Sequence, residues 1–146
     1  MRSPGVMLGY WNEPDLTAHA LRDGWLHTGD LGRVDGDGHL FIVDRIKDLI
    51  IRGGFNVYPR DVEDALLEHP DVTLAGVVGK PDERMGEEVM AFVQLAPGSE
   101  ATPEALMDFV KARLGAHKYP REVRLLPSVP LTPVGKVDRK ALRTMR

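Results

Sequence analysis

Lys136 lies in the run Leu131-Thr132-Pro133-Val134-Gly135-Lys136-Val137-Asp138-Arg139-Lys140, directly after a glycine and downstream of Pro127, Pro130 and Pro133. A loop stiffened by prolines can hold an ammonium away from the body of a domain. It is not a phosphate-cradling glycine loop, because Pro130 and Val137 stand where that motif needs glycine and Ser/Thr. Taken alone, Lys136 reads as a solvated surface lysine. Asp30 sits in Gly24-Trp25-Leu26-His27-Thr28-Gly29-Asp30-Leu31-Gly32. An aspartate there could accept hydrogen bonds from a ribose diol through its two oxygens. By itself it reads as a turn aspartate.

The third candidate segment is Val43-Asp44-Arg45-Ile46-Lys47-Asp48-Leu49-Ile50-Ile51-Arg52-Gly53-Gly54-Phe55-Asn56-Val57-Tyr58-Pro59. Charges interrupt a strand-like pattern, and then Gly53-Gly54 permits a close backbone approach. A hairpin with exposed charges is its plain reading. Other polar residues read as structural. Glu87 and Glu88 are adjacent on a strand and should face opposite ways, so they make no acid/base pair. Asp35 and Asp37 fail the calcium-loop template, because His39 and Leu40 occupy its next ligand and glycine positions. The histidines lack metal-ligand spacing, so no metal site is expected. Trp11, Trp25 and Tyr119 read as packing residues.

The elements that must position these residues fall into two stretches. Residues 1–44 show short apolar patches broken by turns. A helix is expected over 14–21 and strands over 24–28 and 39–43, with Asp35-Gly36-Asp37-Gly38 as the turn between the strands. These elements could hardly close a core, so Val6, Met7, Leu8, Tyr10 and Trp11 are expected to be exposed. From Arg45 onward the pattern is a self-sufficient α+β domain. It begins with a hairpin over 48–58, and a helix opened by Pro59 follows and ends at His69-Pro70. Strands are expected over 72–79 and 89–95, where apolar residues run nearly without break. Thr102-Pro103-Glu104 starts a second helix, with Leu106, Phe109, Val110 and Leu114 as its stripe and Gly115 as its stop. A strand over 122–126 and a closing helix over 137–145 complete the series.

Composition removes several classes. The 146 residues are 42% hydrophobic, enough for an ordered core. The balance of 19 basic and 22 acidic residues, net −3, argues against a nucleic-acid binder. The absence of cysteine excludes disulfides and thiolate chemistry. No apolar run reaches the length of a membrane span, and a cytoplasmic protein is expected.

Taken together and in register, the three segments resemble the C-terminal motifs of the adenylate-forming superfamily. That superfamily includes acyl-CoA synthetases, peptide-synthetase adenylation domains and beetle luciferases. The resemblance extends to Pro4-Gly5-Val6-Met7-Leu8-Gly9-Tyr10-Trp11, Pro81-Asp82, Gly86-Glu87 and Tyr119-Pro120. Asp44-Arg45-Ile46-Lys47-Asp48 with Gly53-Gly54-Phe55-Asn56-Val57-Tyr58-Pro59 looks more like the acid–CoA ligases than the peptide-synthetase domains.

The resemblance implies a small C-terminal lid domain over 45–146, a central sheet flanked by helices. Before it, 1–44 would be a β-rich remnant of a large nucleotide-binding domain. It implies ATP, AMP and CoA as substrates or products, a carboxylic acid as co-substrate, and the large N-terminal domain of the same enzyme as partner. Mg²⁺ is expected with ATP but not ligated by this chain. Lys136 matches the family's adenylation lysine, Asp30 and Arg45 its ribose contacts, Lys47 its hinge, and Gly53 and Gly54 the glycines beside the pantetheine tunnel. The phosphate loop and acyl pocket lie outside this sequence, so the chain alone is expected to be inactive. Two alternatives stay open: the end of an adenylation domain that loads a carrier protein, and a stand-alone lid module that binds a partner.

Overall fold

The computed structural model describes residues 1–146 and divides into two compact units, Met1–Lys47 and Asp48–Arg146. In the first unit, helix α1 (Pro14–Ala20) opens on a proline and carries Asp15 in its first turn. Strands β1 (Leu21–Arg22) and β2 (Trp25–Leu26) pair across Asp23 and Gly24, whose φ angles of 52° and 75° suit a two-residue turn. Strand β3 (Asp30–Val34) then pairs antiparallel with β4 (Leu40–Arg45).

This differs from the expected arrangement. The Asp35-Gly36-Asp37-Gly38 turn joins β3 to β4, and the strand at Trp25–Leu26 folds back onto β1 instead. Positive φ at Asp23, Gly24 and Gly29 reverses and breaks the chain, so the 24–28 run cannot continue into the hairpin. At the β3–β4 turn, Asp35 Oδ1 accepts the N–H groups of Asp37 and His39. No hydrophobic side chain of this unit is buried. Leu8 is 100% and Trp11 89% exposed, whereas Val6 and Met7, expected to be exposed, are half-buried.

The second unit is a mixed α+β domain, as its sequence pattern indicated. Strands β5 (Ile50–Arg52), β6 (Phe55–Val57), β7 (Val72–Asp82), β8 (Gly86–Leu95) and β9 (Glu122–Leu125) form one sheet. The order is β6-β5-β8-β7, with β9 parallel to β8. Helix α2 (Pro59–Leu67) and helix α3 (Pro103–Lys111) supply Val62, Leu66, Leu106 and Val110 to one core cluster, which also holds Val77, Val89, Ala91 and Val93. Helix α4 (Arg139–Thr144) supplies Leu142 to a second cluster with Val78, Met90 and Phe92. Alternate residues of β7 and β8 thus enter opposite clusters, which is why both strands read as unbroken apolar runs. Close approach at α4 requires Gly76, since a Cβ there would lie 2.5 Å from Leu142 Cδ1 and 2.7 Å from Val137 Cγ1.

Element ends follow hydrogen bonding more than burial. β7 and β8 outrun their apolar stretches because the ladder continues to Asp82↔Gly86. Asp82 Oδ1 closes that hairpin by accepting the N–H groups of Met85 and Arg84, and these bonds hold its carboxyl below the usual range. α4 begins only at Arg139, because Asp138 is its cap, Oδ1 accepting Ala141 N–H at 3.0 Å.

A network of ion pairs and one backbone bond ties α2, β7, α4 and the turn carrying Asp48 together. β7 is an edge strand, and Glu63 Oε1 on α2 accepts its Val77 N–H at 2.8 Å. Arg139 of α4 grips the same carboxylate with Nη2 at 2.6 Å and Nε at 3.1 Å. Arg139 Nη1 also lies 3.6 Å from Asp48, which accepts Arg143 Nη2 at 2.6 Å. Removing one partner from a buried network leaves the others uncompensated. Glu63→Ala should therefore lower the unfolding free energy of this chain by about 3 kcal/mol. Guanidinium titration measures it, and a loss under about 1 kcal/mol would show the network to be of surface strength only.

Candidate functional site

Lys136 is carried on a short closed loop. Leu131 and Val137 form an isolated antiparallel bridge, and Asp138 N–H reaches Pro130 C=O at 2.9 Å. Inside that closure, Thr132 N–H donates to Lys136 C=O at 2.7 Å, and Gly135 N–H donates to Thr132 C=O at 2.9 Å. Gly135 takes φ 76°, which a glycine adopts without strain. Lys136 and Val134 are exposed at the tip. The loop feeds directly into α4, so the network of Arg139 and Arg143 fixes its base.

Asp30 and Arg45 are brought together. They are register partners at the ends of β3 and β4, and Arg45 Nε pairs with Asp30 Oδ1 at 2.8 Å. The neighbouring backbone is also fixed, with Asp30 N–H on Thr28 Oγ1 at 3.1 Å and Ile46 N–H on Gly29 C=O at 2.9 Å. A carboxylate beside a guanidinium, both solvent-accessible, can accept from hydroxyls and donate to an anionic oxygen at the same place.

Lys47 is exposed within the 3₁₀ turn Ile46–Asp48, and the division between the two units falls directly after it. Its neighbour Asp48 is only 8% exposed and belongs to the network described above.

Gly53 and Gly54 form the two-residue turn between β5 and β6, with φ of 55° and 83°. Both angles are positive, as a type I′ hairpin turn demands. Gly53 donates its N–H to Met85 C=O at 2.8 Å, and a Cβ on it would meet Met85 Cε at 2.6 Å. Gly54 faces open space. Arg52, next to the turn, is bound by Glu88 through two contacts of 2.5 and 2.9 Å. Lys136 and the glycine turn belong to different loops, one closed by the Leu131–Val137 bridge and the other joining β5 to β6.

Several features carry no mark in the sequence. Thr132 gives nothing away until its bonds to Lys136 are seen. Arg121 stacks over Tyr119 at 3.6 Å and keeps Nη1 buried without a partner. Burial, followed by the nearby Arg52, pulls the Arg121 guanidinium below its usual value, with Glu88 opposing. With Lys80, Glu88 and Glu122, Arg121 lines a cavity of about 180 Å³. A wider open groove of about 460 Å³ runs along Asp61, Asp64, Glu68 and Arg113 and holds none of the expected site residues. Ligand atoms of Asp35, Asp37 and His39 lie within 4.8 Å of one another. Asp35 is already the acceptor for its own turn, and the group is the hairpin's local bonding.

Residues 61–136 match the AMP-binding enzyme C-terminal domain, and the chain belongs to that family. Among its relatives is a medium/long-chain-fatty-acid–CoA ligase of Mycobacterium tuberculosis, 51% identical over 92% of this chain and 25% of the ligase. A fatty acid–[acyl-carrier-protein] ligase of Streptomyces coeruleorubidus is 50% identical over 98% of this chain and 28% of its own length. The amide bond synthetase McbA of Marinactinospora thermotolerans superposes with a TM-score of 0.88 at 49% identity, over 99% of this chain and 30% of that one. The chain therefore spans between a quarter and a third of each relative. No helix is long and apolar enough to cross a membrane.

Lys80 and Glu122 give a prediction independent of catalysis. Their ion pair of 2.7 Å holds the Glu122 carboxyl below its usual value, burial opposing and Arg124 assisting. A depressed folded pKa contributes stability that is present above the unfolded value of 4.5 and lost as pH falls through the folded one. Lys80→Met should shrink the loss of stability between pH 6 and pH 3. Denaturant titrations at both pH values check it, and an unchanged difference would rule the pair out.

Proposed function

We propose that this chain is the C-terminal part of an AMP-forming acid–CoA ligase. The carboxylate of an acid attacks the α-phosphate of ATP, giving an acyl-adenylate and pyrophosphate. The CoA thiol then attacks the acyl carbonyl and releases AMP. Residues 1–47 are the end of a large nucleotide-binding domain, and 48–146 are its mobile lid, a boundary three residues later than the sequence pattern suggested. The observation that carries this is the division directly after Lys47, with the Asp30–Arg45 pair on one unit and Lys136 and the glycine turn on the other.

Asp30 accepts from the ribose hydroxyls and Arg45 donates to the same ribose or its phosphate. Lys136 places its charge against the reacting carboxylate and α-phosphoryl oxygens, where negative charge redistributes in the transition state. Rotation about Lys47 takes Lys136 away after adenylation and brings Gly53 and Gly54 beside the pantetheine arm. The open space at Gly54 supports a role in leaving room for a ligand. Mg²⁺ enters with ATP, and no residue of this chain is assigned to it. A cysteine-free chain needs no oxidising compartment, and we place the reaction in the cytoplasm. Loading of a carrier-protein thiol is the second reading, favoured by the carrier-protein ligase among the relatives.

Single-turnover kinetics on the full-length enzyme test the assignment. Lys136→Ala should slow acyl-adenylate formation by roughly 10²-fold or more. Thioester formation from supplied acyl-adenylate should be little changed. Survival of adenylation would remove Lys136 from the mechanism. Gly54→Leu should show the reverse pattern, with slow thioester formation and intact adenylation, and equal loss in both steps would refute the tunnel assignment. The chain of 146 residues alone should form no acyl-adenylate.

A further inference from the structure

We propose that Thr132 is the positioning residue for Lys136, which rests on the adenylation role given to that lysine above. Thr132 holds both backbone polar groups of Lys136. Its N–H donates to the Lys136 carbonyl at 2.7 Å, and its Oγ1 accepts the Lys136 N–H at 3.2 Å. The same residue accepts Gly135 N–H on its carbonyl, so the turn closes on Thr132 from three directions.

The rest of the tip gives little alternative support. Val134 is 79% exposed, and Leu131, Pro133 and Gly135 are exposed as well. No packing from these residues can fix the direction in which the Lys136 side chain leaves the loop. The Thr132 bonds do so, and they act on a base held by the Leu131–Val137 bridge and the Asp138–Pro130 bond. Lys136 thus has a fixed origin and a free arm.

Of the bonds to Lys136, only the one to Oγ1 depends on the side chain at 132. In open solution water can replace it, so its loss should hardly alter stability. When the loop enters a site shielded from water, no replacement is at hand and the backbone of Lys136 is free to tilt. An ammonium on a long arm amplifies that tilt, and a shift near 1 Å lowers the rate of a positioned reaction by up to about 10²-fold. The effect therefore belongs to the adenylation step, where Lys136 touches the reacting atoms. It is absent from the thioester step, where Lys136 has moved away.

The experiment uses the full-length enzyme carrying Thr132→Val or Thr132→Ser, with Lys136→Ala alongside. Valine keeps the shape and removes the acceptor, while serine keeps the acceptor. Thr132→Val should lower the maximal rate of adenylation about 10-fold. The KM for ATP, the melting temperature and thioester formation from supplied acyl-adenylate should stay unchanged. Thr132→Ser should stay within about 2-fold of the parent in adenylation. Full adenylation by Thr132→Val, equal failure of the serine variant, or parallel loss of both half-reactions overturns the proposal. Lys136→Ala separates the two failures. Adenylation that survives it overturns the role of Lys136 itself. Adenylation lost with it but kept by Thr132→Val overturns the role of Thr132 alone.

Discussion

Glu63 and Asp48 are carboxylates taken almost out of water, and two arginines of α4 make that tolerable. An unpaired buried charge is among the most destabilising features a small domain can carry. The geometry here leaves little uncompensated. Glu63 takes two bonds from Arg139 and one from the Val77 backbone, and Asp48 takes Arg143 with Arg139 close by. One residue, Arg139, serves both acids. The edge of β7, which would otherwise present a bare N–H, is satisfied by the same group of charges. Helix α2, the edge strand, the turn at the unit boundary and helix α4 are held by one set of electrostatic contacts.

The placement of the candidate site follows from that network. Lys136 sits on a loop whose far end is α4, so the position of an exposed catalytic candidate is set by buried charges on the opposite side of its anchor. Gly76 lets α4 lie close on β7, and Leu142 fills the space so made. The glycine turn is built in the same manner, for Arg52 is pinned by Glu88 just before the chain reverses. In both cases a mobile-looking loop rests on residues with little freedom, as positioned chemistry requires.

Much of this was legible in the sequence. Prolines and caps marked α2 and α3, and the unbroken apolar runs marked β7 and β8. The motif around Lys136 and the pair Asp30 and Arg45 stood out once taken with their neighbours. What escaped notice was non-local. Asp30–Val34 reads as a glycine-interrupted stretch, yet it forms the strand opposite β4, because backbone pairing selects it and side-chain pattern does not. The burial of Asp48 and Glu63 could not be seen, since each reads as one more helix or hairpin charge until α4 arrives. Thr132 is a common residue whose meaning lies wholly in two bonds to a neighbour four positions away.

The network also bears on how the domain is assembled in time. Its members are 76 residues apart between Glu63 and Arg139 and 95 apart between Asp48 and Arg143. Closing loops of that length is entropically slow compared with zipping a hairpin such as β7–β8. The sheet and its α2–α3 face can therefore form first, with Met90 and Phe92 still bare on the other side until Leu142 covers them. Such an intermediate would present an apolar sheet face beside two unneutralised acids, and α4 removes both liabilities in a single docking event.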